Sequence, residues 1–138
     1  MVDIKGDNPN LHFVVTVISQ HGLIVFKRTD RAYASLDECE HACHELVRRL
    51  DMFSRRALHL LGDLRSAPPR SDPAFESMMG RYRKEIFRNF LLSAVLVRTA
   101  WGKMQMRRHI DSDGLDVPIF HEPNEALAYF SLPKGLYR

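Results

Sequence analysis

Cys39, His41, Cys43 and His44 (CEHACH) form the densest group of metal-ligand types in the chain. Cysteines at i and i+4 of a helix stack on one face and can aim two sulfurs at one ion. A structural zinc site needs four ligands, however, and His41 and His44 fall off the face that the cysteines share. Both cysteines also continue an apolar stripe, so they read as core thiols beside surface imidazoles, with no metal or cofactor. The seven histidines (His12, His21, His41, His44, His59, His109 and His121) are scattered. No Ser or Cys sits in a Gly-x-Ser-x-Gly turn, so no catalytic residue is assigned and a non-enzymatic role is expected.

Two loops carry the remaining candidates. Thr99, Ala100, Trp101, Gly102 and Lys103 (TAWGK) join a buried strand to a helix N-terminus, where an open α/β sheet offers backbone N–H groups to an anion. The Gly-x4-Gly-Lys-Ser/Thr spacing of a P-loop is missing. Trp101 is expected to fill a core edge; exposed, it would anchor a partner. Residues 62–73 (GDLRSAPPRSDP) bring Asp63, Arg65 and Arg70 to the same end of the sheet. With Thr99, Trp101 and Lys103 they are the candidate ligand or partner contacts, and Asp63 is expected to matter more to partner binding than to folding. Ser66 and Ser71 are the hydroxyls of this loop. Phosphate on Ser71 would gain from a helix N-terminus, Arg65 and Arg70 and be opposed by Asp72; Ser71 or Asp72 as a plain helix cap is the simpler reading. Arg81, Arg83, Lys84 and Arg88 on one helix, with Arg98, Lys103, Arg107 and Arg108 around the next, form the most basic region. No nucleic-acid motif or aromatic interleaving accompanies it, so a solvated face or an acidic protein partner is expected rather than nucleic acid.

Positioning these loops requires a sheet. Residues 12–19 (HFVVTVIS) and 23–29 (LIVFKRT), separated by Gln20, His21 and Gly22, read as an antiparallel hairpin. Ser35 with Glu38 is a capping box opening a helix whose stripe is Leu36, Cys39, Cys43, Leu46, Val47, Leu50 and Phe53. Residues 56–64 then read as a strand. Asp72 and Pro73 open a second helix with Phe75, Met78, Met79, Tyr82, Ile86 and Phe90 inward. Residues 91–97 (LLSAVLV) form the central strand, 103–113 a helix stopped by Gly114, 116–120 the last strand, and 123–130 a closing helix. The order is β-β-α-β-α-β-α-β-α, a single α/β domain over 11–131 with a mixed sheet. Residues 1–10 read as a flexible leader and 132–138 as a tail that frays.

The chain has 138 residues, 45% hydrophobic and 27% charged, which excludes collagenous, disordered and low-complexity classes. Lys plus Arg is 20 against 17 Asp plus Glu, a net charge of +3 that names no partner. Two cysteines on one helix face, no signal-like leader and no run of membrane-spanning length lead us to expect a cytoplasmic protein with no transmembrane segment.

The element order, and above all residues 94–130 (AVLVRTAWGKMQMRRHIDSDGLDVPIFHEPNEALAYF), resembles the STAS fold. That is the fold of anti-sigma factor antagonists and of the cytoplasmic tails of sulphate transporters, and the likeness is greatest to small stand-alone bacterial STAS-like proteins. The resemblance implies a regulatory protein-interaction module, in some branches switched by phosphorylation of a Ser at the start of the helix after the third strand. Regulatory members have Asp-Ser, a small residue and Gly there, whereas two prolines intervene here and Ser71 precedes Asp72 and Pro73. The alternative is a binder of a small ligand (lipid, nucleotide or anion) between the two loops, since open α/β sheets hold ligands at the carboxyl ends of their strands. An apolar first hairpin at the sheet edge would also support a homodimer.

Overall fold

The β-branched runs pair as expected. Phe13–Ile18 (β2) and Leu23–Arg28 (β3) are antiparallel in a register running from Phe13 opposite Arg28 to Ile18 opposite Leu23. They are joined by a 3-10 turn, Ser19–His21, that ends at Gly22 with φ 61°. That left-handed backbone is open to glycine at little cost. The computed structural model describes residues 3–4 and 11–138 of the chain. Asp3–Ile4 (β1) pairs antiparallel with β2, so the expected leader contributes an edge strand; its other residues lie outside those described.

His59–Asp63 (β4), Ser93–Leu96 (β5) and Ile119–Phe120 (β6) complete a six-stranded sheet in the order β1-β2-β3-β4-β5-β6, parallel from β3 onward. The mixed α/β sheet and its element order are those expected from the sequence. Individual strands are shorter. Residues 55–57 form a 3-10 turn before β4, and Leu91 and Leu92 precede β5 and are exposed. Only two residues of 116–120 form a strand, because Pro118 has no N–H for the ladder and contributes its carbonyl to Val95 N instead.

Leu36–Leu50 (α1), Pro73–Phe87 (α2) and Ala100–Ser112 (α3) connect β3 to β4, β4 to β5 and β5 to β6. Crossovers of one hand that step along the sheet in one direction put their helices on one face. Accordingly, Cys39, Cys43, Leu46 and Leu50 of α1, Tyr82 and Ile86 of α2 and Ile110 of α3 share a core with Phe13, Ile24, Phe26, Leu60 and Val95. Ile110 is the one buried residue of α3. Ser35 Oγ accepts from Glu38 N at 3.1 Å and caps α1. Pro123–Tyr129 (α4) lies on the opposite face, where Ala126, Leu127 and Phe130 cover Val25, Leu61, Ala94 and Leu96. The residues after Ser131 do not hang free as expected: Leu132, Leu136 and Tyr137 pack into this second core. Among the described residues no helix is long and apolar enough to cross a membrane.

Gly62 decides how β3 and β4 meet. It pairs with Phe26, whose ring lies across the space a side chain would take; a Cβ built there would stand 2.5 Å from Phe26 Cζ. Phe26 also meets the rings of Phe13 and Phe87 at 6.0 and 5.9 Å. Gly62→Ala is therefore expected to cost about 1–3 kcal/mol by overpacking, read as a lowered midpoint in thermal melts. An unchanged midpoint would show that the ring yields freely.

Candidate functional site

Strand alternation sends Ile24, Phe26 and Arg28 of β3 toward the three-helix face, with Leu60, Gly62 and Leu64 along β4 and Val95 and Val97 along β5. At the carboxyl ends of these strands the chain departs into the 64–72 loop and the start of α3, and the helices do not close over the sheet. A cavity of about 630 Å³ remains, with Phe26, Val95 and Val97 on the sheet side, Ile86 and Phe87 from α2 and Met106 from α3. Its size and apolar lining fall in the range of small-molecule sites.

The polar groups around it are almost all satisfied. Arg83, expected on the outer face of α2, is buried and ion-paired with Asp113, with Glu76 3.7 Å away. Glu76 also lies 3.3 Å from His109 Nε2. Arg70 pairs with Asp72 at 2.7 Å and stands 5.0 Å above the Phe75 ring. Arg28 differs. It is 5% exposed, its guanidinium lies 4.3 Å over the Tyr33 ring and 5.8 Å from the Phe13 ring, and Nη1 donates to the Thr29 carbonyl at 2.7 Å. Among the described residues no carboxylate pairs with it. His12 stacks on the other partner of this group, Tyr33, at 4.7 Å and has Nε2 2.8 Å from Glu38. Burial and then the nearby Arg28 charge hold the His12 imidazole below its ordinary pKa, with Glu38 pulling the other way. Burial raises the Tyr33 phenol well above its usual range.

Asp63 sits on the other face. Its side chain is fully buried and accepts from Arg65 Nε at 2.9 Å, Arg65 Nη2 at 2.8 Å, Arg65 N at 3.1 Å and the Tyr137 hydroxyl. Burial works against its charge, but the bonds from Arg65 and Tyr137 hold the carboxyl below the ordinary carboxylate pKa. Arg65 Nη2 also donates to the Arg138 carbonyl at 3.0 Å. The expectation that Asp63 meets a partner is thus corrected: it ties β4 to the C-terminal segment and presents nothing to a ligand.

Ser66 is half-buried and Ser71 exposed. Asp72 caps α2, its Oδ2 accepting from Phe75 N at 3.3 Å. The helix expected from Lys103 begins at Ala100, because Thr99 Oγ1 accepts from Gly102 N at 3.0 Å and serves as its cap. TAWGK is therefore the cap and first turn of α3. Trp101 does not fill a core edge as expected: it is 66% exposed at the rim of the cavity, with Met104 one turn on also exposed. Lys103 is half-buried on the same helix. Of the basic face, Arg81 lies 3.6 Å from Glu40, Arg88 3.2 Å from Asp51 and Arg107 3.6 Å from Asp111, with Lys84 and Arg108 also exposed. The region carries its own acidic partners.

The cysteines are free and buried. Their thiols donate to the Met79 thioether at 3.9 Å from Cys39 and 3.7 Å from Cys43, filling the space between α1 and α2. Burial and the adjacent Cys39 thiol push the Cys43 thiol up, the neighbour being the larger influence. His41 and His44 are exposed, so CEHACH is not gathered into one site. Among the described residues no three His, Cys, Asp or Glu side chains form a group able to hold a metal ion.

The cavity brings Arg65, Arg70, Ser71, Thr99 and Trp101 to one lining, leaving Asp63 and Lys103 outside it. Arg28 and Tyr33 are the site residues that reading the sequence missed. Arg28 was within reach of the alternation Ile24, Phe26, Arg28; Tyr33 lies in a loop with no period to place it. No protein-family model matches the chain, and neither curated proteins nor solved structures give a match.

Proposed function

We propose that the chain is a non-catalytic binding module that takes an amphiphilic small molecule into the cavity at the carboxyl ends of β4 and β5. The observation that supports this most is the cavity itself, about 630 Å³ between the sheet and α2 and α3, continuous with Phe26, Val95 and Val97. The open cleft leaves apolar side chains facing water on their cavity side, without the contacts that an interior supplies. An apolar guest restores them. The STAS-like element order agrees with a regulatory module of this kind, in which occupancy is read by a partner protein. Trp101, exposed at the rim, with Met104 exposed one turn on, offers that partner an apolar contact whose surroundings change when the cavity fills.

A neutral apolar dye such as Nile red tests the reading without invoking charge. Saturable one-to-one uptake is expected, and Met106→Trp, which fills the cavity from its half-buried place on α3, is expected to weaken it at least about tenfold while far-UV circular dichroism stays that of the parent. Equal uptake by both proteins would place the dye elsewhere and defeat the proposal.

A further inference from the structure

Resting on that binding reading, the geometry points to the chemical class of the guest: we infer that it is a monoanionic carboxylate with an apolar body, and that Arg28 receives its head group. A buried charge is normally paired, because leaving it alone in a low-dielectric surrounding is costly. Arg28 is buried, borders the cavity and has aromatic rings and one backbone carbonyl for neighbours. Of the acidic groups on the same side, Asp72 pairs with Arg70, Asp113 and Glu76 lie against Arg83, and Glu38 lies against the His12 imidazole rather than against Arg28. Among the described residues no carboxylate reaches the Arg28 guanidinium, and a guest in the cavity would supply one.

The form of the missing partner follows from the guanidinium. Its planar fork suits the two oxygens of a carboxylate, and stacking on Tyr33 fixes the plane before the ligand arrives. One uncompensated buried cation balances one anionic charge. A phosphate monoester carries nearly two at neutral pH; of the cavity's other arginines, Arg65, Arg70 and Arg83 already hold carboxylates, and Arg98 is exposed to solvent, which screens its charge. Beyond the head group, Phe26, Phe87, Val95, Val97 and Met106 offer apolar surface, which suits a hydrocarbon chain or ring system.

Calorimetric titration with decanoate, decanol and decyl phosphate at neutral pH tests this. Decanoate is expected to bind at one site at least about tenfold more tightly than decanol, the usual size of a charge-assisted hydrogen bond. Arg28→Met is expected to remove that advantage while leaving decanol within about twofold, and Arg28→Lys, which keeps the charge without the fork, should fall between. Equal binding of acid and alcohol by the parent protein overturns the inference even if Arg28→Met fails to fold, as does tighter binding of decyl phosphate than of decanoate. If Nile red is taken up and decanoate is not, the inference fails and the binding reading stands; if neither is taken up, both fail.

Discussion

Asp63→Ala is expected to be the most destabilising substitution in the chain, costing about 3–5 kcal/mol. The carboxylate is fully buried and accepts three bonds from Arg65 and one from Tyr137. Removing it leaves a guanidinium and a phenol without their acceptor on the α4 face. Against a typical total stability of about 5–15 kcal/mol, that is a large fraction. Urea denaturation at neutral pH reads the loss directly. The same group gives a pH dependence of known sign. Its folded pKa lies below the ordinary value. Its contribution is therefore present above the unfolded pKa of about 3.9 and is lost as pH falls toward and through the folded value. Asp63→Asn, which keeps the shape, is expected to lower stability at neutral pH and to flatten the decline between about pH 5 and pH 2. A neutral-pH midpoint unchanged by either substitution would show that the contacts contribute nothing net.

Asp113→Ala is expected to cost about 3 kcal/mol. Arg83 and Asp113 face each other across the end of α2 and the end of α3, both nearly out of solvent. Gly80 permits the approach, since a Cβ there would stand 3.3 Å from Asp113 Oδ1. Without Asp113, Arg83 keeps only Glu76 at 3.7 Å, which softens the loss without cancelling it. The consequence extends to the cavity. Ile110 is the one fully buried residue of α3, with Met106 packed beside it, so the ion pair is a further attachment of the helix, which forms a wall of the site. Uptake of the dye is expected to weaken together with the urea midpoint. Unaltered uptake beside lowered stability would mean that the wall holds its place without the pair.

Much of this architecture was legible because it is local. The hairpin follows from two β-branched runs and Gly22, α1 from Ser35, Glu38 and a stripe of one period, and α2 from Asp72 and Pro73. Arg83 was misplaced because charge outweighed spacing: Met79, Arg83, Ile86 and Phe87 lie on one helical face, and burial follows the face when a carboxylate waits there. Trp101 was misplaced for the converse reason, since a large apolar ring was read as core although the cap at Thr99 turns it to the cavity rim. Of the Asp63 cluster, the sequence showed Asp63 and Arg65 close together but not that the carboxylate is buried. Its partner Tyr137 is 74 positions away and lay in a segment read as frayed. The cavity was legible only as a place, the ends of two parallel strands, and its chemistry depended on Arg28, whose isolation is a property of its neighbours in space.

The strand order has a kinetic consequence. Every strand of the sheet is hydrogen-bonded to its neighbours in sequence, so assembly never requires a late strand to insert between two that have already paired. Such a ladder grows strand by strand, the local hairpin first and each parallel pair after it has closed a helical crossover, the slower step. The closure of Tyr137 on Asp63 is the exception. It closes a loop of 74 positions, so it is expected to form late, where an interaction slows unfolding more than it speeds folding. The C-terminal segment is thus expected to act as a latch on a sheet that is already built: Tyr137→Phe should speed unfolding more than it slows folding in stopped-flow chevrons.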